Sequence, residues 1–291
     1  MGIFTKLFSR KKNVIKRGNN PDVYNMTSEN ERMNWSMEKA RLTFHYFQDC
    51  LQNPKAGQEH FSIKARIEDN GKTEHIWLME PTFDAEGNIF GVVGNTPIYV
   101  KNICLHQKIG VTKEFISDWM LMENRRLIGG YTIRTIREGL STNQLKDFDR
   151  SVGGMKIDAG EDYFLTNLET PEGAILSLEE TYNQKNITAA LDCKDFTKEA
   201  ELLLQKSMNT ILDDALITNT AKALKSSFIL GLEENGFPNL MGVKRAFKRF
   251  KITEKHYIIT QFCYHTDGTT SIQKFHTYKN DLDWKVLGME D

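Results

Sequence analysis

Seven side chains between residues 64 and 134 have the types and spacing that a binding or catalytic site needs. They combine a carboxylate, four groups that can carry positive charge and two indole rings, which together can bind an anion, stack on a ring or transfer a proton. All seven fall within one stretch of short apolar runs and glycine-rich turns. The candidates are Lys64, Arg66, His75, Trp77, Asp118, Trp119 and Arg134.

Two interpretations of these residues remain open. In the first, Asp118 pairs with Arg134 or Arg137 and both tryptophans pack in a core, so that the residues stabilise a sheet. In the second, the same residues line a binding cleft. A fold-level pattern does not decide between a scaffold and a site.

The register of one hairpin follows from its turn. Asn70-Gly71 is typical of a two-residue hairpin turn, and the pairing that follows places Lys64 opposite Trp77 and Arg66 opposite His75. A lysine opposite a tryptophan favours a cation–π contact. One face of the hairpin is therefore aliphatic, and the other is either a polar outer surface or the floor of a cleft.

A long helix precedes this hairpin and short strands follow it. Ser28 and Glu31 form a capping box, and an apolar stripe continues to Leu51 before Asn53-Pro54 ends the helix. The pattern predicts an α+β fold in which the long N-terminal helix packs on a bent antiparallel sheet or small barrel. Predicted strands after the hairpin run from Ile89 to Val93, Ile98 to Leu105, Ser117 to Met122 and Leu127 to Ile136.

The sequence pattern of the last hundred residues predicts a second α+β domain, in which helices precede an antiparallel meander. The domains are expected at residues 28–165 and 195–291, after a flexible basic leader at 1–20 and with a connecting segment at 166–194. From Ser141 to Lys194 the pattern is irregular, apart from a short helix that Pro171 opens. Further predicted helices are Thr197 to Ile217, Thr220 to Glu234 and Val243 to Phe250, and further strands are Tyr257 to His265, Thr270 to Tyr278 and Trp284 to Leu287.

No motif predicts a metal or a cofactor. No pair of histidines or cysteines has zinc-site spacing, and a two-residue turn at Asp267-Gly268 would place His276 opposite Ile259 and send His256 to the other face. Nucleophile-elbow, phosphate-loop and dinucleotide fingerprints are missing. The acids Asp158, Glu161 and Asp162 suit a solvated turn better than a cation site.

Composition narrows the class of partner. The formal net charge of −1 argues against nucleic acid, and four scattered cysteines suit reduced thiols in a cytoplasm. The first seventeen residues carry six basic side chains and no acid, without the uninterrupted apolar core of a secretory signal. They suit either a frayed leader or a weak contact with an anionic membrane surface. The candidate membrane residues are Ile3, Phe4, Leu7 and Phe8.

The motifs between residues 74 and 134 resemble a known bacterial family. The YegJ-like family, domain of unknown function 2314, is similar over roughly residues 35–140. The resemblance implies no activity, substrate or catalytic residue. The residues that carry it are Glu74-His75-Ile76-Trp77, Asn95-Thr96-Pro97, Ile116-Ser117-Asp118-Trp119 and Gly129-Gly130-Tyr131-Thr132-Ile133-Arg134.

The sequence therefore favours a cytoplasmic, non-enzymatic binding or interaction module with a protein partner, such as an immunity or accessory factor. The alternative is a hydrolase-like enzyme with a cleft between the β-rich module and the middle segment. That enzyme would use His75, Asp118 or the acids from Asp158 to Asp162.

Overall fold

A computed structural model describes residues 23–152, 155–158, 160–207 and 213–290, with side chains from residue 31 onward. The chain divides into two compact units, the first ending at Tyr163 and the second beginning at Phe164. Each unit combines helices with one antiparallel sheet, so the predicted α+β class is confirmed.

In its described residues, from Val23 onward, the first unit has two helices before its sheet and two after it. Its six strands lie in the order β4-β3-β2-β1-β5-β6. A 3₁₀ turn at Lys113–Phe115 connects β4 to β5. The elements are α1 (Val23–Leu42), α2 (Phe44–Gln52), β1 (Gln58–Asp69), β2 (Lys72–Phe83), β3 (Ile89–Val93), β4 (Lys108–Val111), β5 (Ile116–Glu123), β6 (Arg126–Gly129), α3 (Tyr131–Glu138) and α4 (Thr142–Ser151).

The predicted register of the first hairpin is confirmed. Lys64 lies opposite Trp77 and Arg66 opposite His75. The ammonium of Lys64 is 5.6 Å from the centre of the Trp77 ring, as a cation–π contact requires. The aliphatic face of the hairpin packs in the main core of the unit, together with Phe44 and Phe47.

The single N-terminal helix of the sequence analysis is in fact two helices. The carbonyl of Ala40 accepts from Trp119 Nε1 at 3.0 Å, and the Thr43 hydroxyl donates to the carbonyl of Lys39 at 2.8 Å. These side-chain bonds take up carbonyl groups of the helix just before Thr43, where the helix is interrupted. The first helix begins at Val23, so Ser28 lies inside it and does not cap it.

Two of the predicted strands in this unit are also wrong. Residues 98 to 105 form a loop, because backbone N–H groups there bond to the carboxylate of Glu74 and not to another strand. The strand expected to continue to Ile136 ends at Gly129, where two successive glycines with positive φ redirect the chain into α3. Strand β4 and helix α4 have no counterpart in the sequence prediction.

The described part of the second unit has four helices and a four-stranded sheet in the order β10-β9-β8-β7. Helix α5 begins at Pro171, as predicted, and Thr170 caps it by accepting from the N–H of Gly173 at 3.0 Å. Residues 166–194, set apart above as a connecting segment, contain α5 and α6. The elements are α5 (Pro171–Asn183), α6 (Ile187–Asp192), α7 (Phe196–Ser207), α8 (Asp214–Asn235), β7 (Lys244–Thr253), β8 (His256–Tyr264), β9 (Thr270–Lys279) and β10 (Trp284–Met289).

The segment predicted as a helix from Val243 to Phe250 lies almost entirely in strand β7, which runs from Lys244 to Thr253. Arg245 and Arg249 point to the face that α5 covers, where they pair with Glu179 at 2.6 Å and Glu172 at 2.7 Å. These acids are distant in sequence, so the local pattern around Arg245 and Arg249 gives no sign of the two ion pairs. The boundary between the two preceding helices also differs from the prediction. The first was expected to continue to Ile217, but α7 ends at Ser207 and α8 already begins at Asp214.

The turn between β8 and β9 is longer than predicted, and this shifts the register by one residue. The carbonyl of His265 accepts from the N–H of Gly268 at 3.0 Å, and its N–H donates to Thr269 at 2.9 Å, which leaves three residues in the loop. His276 therefore lies opposite Ile258, not Ile259. His256 then shares a face with His276, contrary to the sequence prediction.

Among the described residues, no helix is both long and apolar enough to cross a bilayer. The candidate membrane residues Ile3, Phe4, Leu7 and Phe8 lie outside the described residues.

Candidate functional site

The two tryptophans of the candidate set fill two separate cores. Trp119 is fully buried in the main core, where Tyr131 lies edge-on to it with ring centres 5.7 Å apart. Trp77 is 1% exposed and packs in a smaller core on the opposite face of the sheet, against Met120 and against Ile133 of α3. Both indoles therefore serve the packing of the unit, and neither floors an open cleft.

Asp118 caps helix α3 from inside the protein. One carboxylate oxygen accepts from the N–H of Tyr131 at 3.1 Å, and the other accepts from the N–H and the hydroxyl of Thr132 at 2.8 and 2.6 Å. A carboxylate at a helix N-terminus satisfies amide groups that have no partner within the helix and interacts well with the helix dipole. This explains why the chain turns into a helix immediately after Gly130.

Lys64 reaches the same network through Thr132. Its ammonium donates to the Thr132 hydroxyl at 3.3 Å, and that hydroxyl donates in turn to Asp118. Burial lowers the pKa of the Lys64 ammonium and raises that of the Asp118 carboxyl, because water is removed from both charges. The proximity of each group to the other opposes these shifts.

The expected pairing of Asp118 with an arginine is wrong. Arg134 donates to the carbonyls of Gly129 and Leu127 at 2.9 and 2.6 Å, and to the backbone carbonyl of Asp158. Arg137 instead forms a bidentate pair with Asp149, at 2.8 Å for both bonds. Arg134 thus fastens the end of β6 to the segment that carries Asp158.

His75 is half-buried and bonds to a serine. Its Nδ1 lies 2.8 Å from the hydroxyl of Ser117, which donates to the carbonyl of Lys64 at 3.2 Å. Since a hydroxyl has one hydrogen, this arrangement assigns the Nδ1 hydrogen to His75. Burial, and then the neighbouring Lys64 and Arg66, lower the pKa of the imidazole. Ser117 is only 2% exposed, so the pair has the surroundings of a structural contact.

Glu74, which was quoted only as a motif residue, organises a surface loop. Its carboxylate accepts from the N–H groups of Ile98, Tyr99 and Val100 at 2.9, 2.8 and 3.3 Å. The side chain of Asn95 accepts from the N–H of Trp77 at 2.9 Å and ties the start of the loop to β2. The sequence signal for this loop is a glutamate followed some twenty residues later by an Asn-x-Pro turn.

Arg66 is the candidate residue that faces solvent. Its side chain is 46% exposed and lies 5.0 Å from the centre of the Phe115 ring. It borders a surface groove of about 490 Å³. Further residues lining this groove include Glu68, Asn88, Phe90 and Thr112.

The acids proposed for catalysis do not come together. Asp118 is occupied by α3, Asp158 bonds to Arg126 at 2.6 Å, and Asp162 bonds to Lys39 at 2.6 Å. Within the described part of the chain, no three metal-ligating side chains are grouped so that they could hold an ion. Most of the candidate residues are therefore buried or hydrogen-bonded within the fold, and Arg66 lies at the surface beside the groove.

The candidate residues from Lys64 to Arg134 lie within a region that is similar to a known family. Residues 30–155 match a family described as an uncharacterized protein conserved in bacteria, DUF2314, and the chain belongs to this family. It is 35% identical over 105 residues to the uncharacterized protein YegJ of Escherichia coli, an alignment that covers 36% of this chain and 67% of that protein.

A second relative extends further along the chain. A putative ankyrin repeat protein of Neisseria meningitidis serogroup B is 26% identical over 181 residues, which cover 60% of this chain and 66% of that protein. No solved structure matches the chain significantly.

Proposed function

We propose that the chain is a non-enzymatic, cytoplasmic module that binds a protein partner. Its first unit would act as a framework, and its contact surface would combine the groove beside Arg66 with the loop held by Glu74. The observation that carries this proposal is the division of the motif residues. Trp77, Asp118 and Trp119 are buried, while Ile98 and Tyr99 on the loop are 58% and 44% exposed.

The loop and the groove share the end of strand β1. Asn102 donates to the carbonyl of Glu68 at 3.0 Å, and the N–H of Lys101 donates to Asp69 at 2.7 Å, so the loop is fastened beside a residue that lines the groove. An aromatic and an aliphatic side chain on a preorganised loop supply contact area at a low entropic cost. The ankyrin repeat name of the Neisseria relative gives weak support, since repeat proteins present extended binding surfaces.

An immunity or accessory factor is the narrower form of this proposal, and the identity of the partner would decide it. The hydrolase alternative receives no support from the geometry, because His75, Asp118 and Asp158 belong to separate hydrogen-bond networks.

Site-specific photocrosslinking in the native bacterium tests the proposal. A benzophenone side chain would replace Tyr99 in one variant and Lys146 in another, since Lys146 is exposed on α4 and belongs to neither the loop nor the lining of the groove. We expect a discrete adduct from position 99 and none from position 146. The substitution Arg66→Glu should weaken the adduct at 99. Absence of an adduct at 99, or the same adducts at both positions, would contradict the proposal.

A further inference from the structure

The corrected register of the second hairpin brings two histidines into contact. Nε2 of His256 lies 3.0 Å from Nδ1 of His276, with the ring centres 5.2 Å apart. His256 is 9% exposed and His276 is half-buried. Within the described residues, neither imidazole has a hydrogen-bond partner at its second nitrogen. In the neutral pair one ring donates to the other, so the two remaining nitrogens present one donor and one acceptor.

These histidines lie in a largely apolar cleft of about 280 Å³. Its walls come from α7, α8 and β10. A mainly apolar cavity with a few converging polar groups is the usual form of a small-molecule site, and this volume is just below the roughly 300–1,000 Å³ of typical ligand pockets, so it suits a small ligand. The apolar lining consists of Leu202, Leu203, Leu224, Leu287 and Met289.

The charges at the cleft are balanced except for one. Glu199 pairs with Lys194 at 3.2 Å, and Glu290 pairs with Lys274 at 3.5 Å. Lys206 also lines the cleft, and its ammonium forms no ion pair with any residue that the structure describes. The uncompensated charge is therefore positive, which favours an anionic head group.

We propose that this cleft binds a small amphipathic carboxylate. The carboxylate would bond to His276 and lie near the ammonium of Lys206, and the aliphatic chain would contact Leu202, Leu224 and Leu287. This site lies in the second unit and does not depend on the contact surface proposed for the first.

The proposal predicts how the affinity for the carboxylate changes with pH. Burial lowers the pKa of both imidazoles, so the empty pair is held neutral. A bound carboxylate favours the imidazolium form, and binding should therefore take up a proton and strengthen as the pH falls. The other titratable and charged groups near the pair are Lys198, Glu199, Lys206, Tyr278 and Glu290.

Calorimetric titration of the full-length chain with octanoate tests this site. We expect saturable binding that is tighter at acidic than at alkaline pH, and weaker or no binding of octylamine. His276→Gln removes the proposed contact and Leu224→Trp fills the cleft, so each should weaken octanoate binding by at least about tenfold. His265→Gln, at the turn of the same hairpin, is the matched control and should leave binding unchanged.

The Cε1 proton signals of His256 and His276 provide a readout that needs no variant. Both should shift on addition of octanoate, and their titration midpoints should move to higher pH. The proposal is overturned if octanoate does not bind, if octylamine binds as tightly, or if folded Leu224→Trp binds octanoate like the unaltered chain.

Discussion

Trp119 occupies the space that any side chain at Gly129 would need. A Cβ atom at Gly129 would lie 2.5 Å from both Cε3 and the carbonyl oxygen of Trp119. The φ of Gly129 is +68°, a conformation that costs other residues energy even where space is free. The glycine thus permits β6 to pass over the indole and turn directly into α3.

Gly129→Ala should therefore destabilise the first unit more than an alanine at an open glycine. Gly87 is the matched control, because its φ is +82° and a Cβ there would meet nothing within 4 Å. Strain alone should cost about 1–2 kcal/mol at both positions, and the clash should add about 1–3 kcal/mol at Gly129. Urea unfolding followed by tryptophan fluorescence measures both changes. Equal losses in the two variants would show that the contact with Trp119 is unimportant.

Thr132→Val should separate the hydrogen-bond role of Thr132 from its packing. The substitution preserves the shape of the side chain but removes the hydroxyl that bonds to Asp118 and accepts from Lys64. We expect a loss of about 1.5–3 kcal/mol in the free energy of unfolding, since a buried carboxylate loses a donor. Thr132→Ser, which retains the hydroxyl, should be much less costly. A serine variant as unstable as the valine variant would assign the effect to the methyl group instead.

The stability of the first unit should decrease as the pH falls below neutrality. The pKa of His75 is lowered from its ordinary 6.5, so the unfolded chain binds a proton that the folded chain resists. The resulting stability is fully present above pH 6.5 and is lost as the pH falls towards the folded pKa. His75→Gln should reduce this pH dependence, and urea unfolding across that range would measure it. A rise in stability on acidification, or an unchanged slope in the variant, would contradict the assignment.

The ion pair between Arg249 and Glu172 should be essential to the second unit. Glu172 is fully buried, and the two bonds measure 2.9 and 2.7 Å. Arg249→Met would leave the buried carboxylate without its partner and should cost about 3–5 kcal/mol. Adding Glu172→Gln should recover part of that loss.

The control for this experiment is Lys255→Met, at a pair whose side chains are 55% and 100% exposed, and it should leave stability essentially unchanged. Thermal unfolding followed by circular dichroism compares the three variants. An Arg249→Met protein as stable as the control would refute the importance of the buried pair.

Local chemistry was sufficient to predict some of this structure. The Asn70-Gly71 turn specifies its own register, so the contact of Lys64 with Trp77 followed from adjacent residues. Thr170 and Pro171 likewise marked the start of α5 within one turn of helix. In these cases the residues that determine the structure are also its nearest neighbours in sequence.

Long-range partners account for most of the errors. Strand β7 resembled a helix because the acids that neutralise Arg245 and Arg249 lie on α5, far away in sequence. The turn at Gly129 required knowledge of where Trp119 would pack. The contact between His256 and His276 depends on one additional residue in the turn between β8 and β9. A register shift of one residue moves every side chain of a strand to the opposite face of the sheet.

The bonding of Glu74 to three successive amides separates the role of the backbone in this loop from the role of its side chains. The loop conformation is specified by backbone groups and one carboxylate, and the side chains of Ile98 and Tyr99 contribute nothing to those bonds. The bonds between Glu74 and the loop therefore do not depend on which side chain either position carries. In the proposed contact surface, the side chains that would meet a partner and the groups that set the loop conformation are therefore different, so a change of specificity at Ile98 would leave the Glu74 bonds intact.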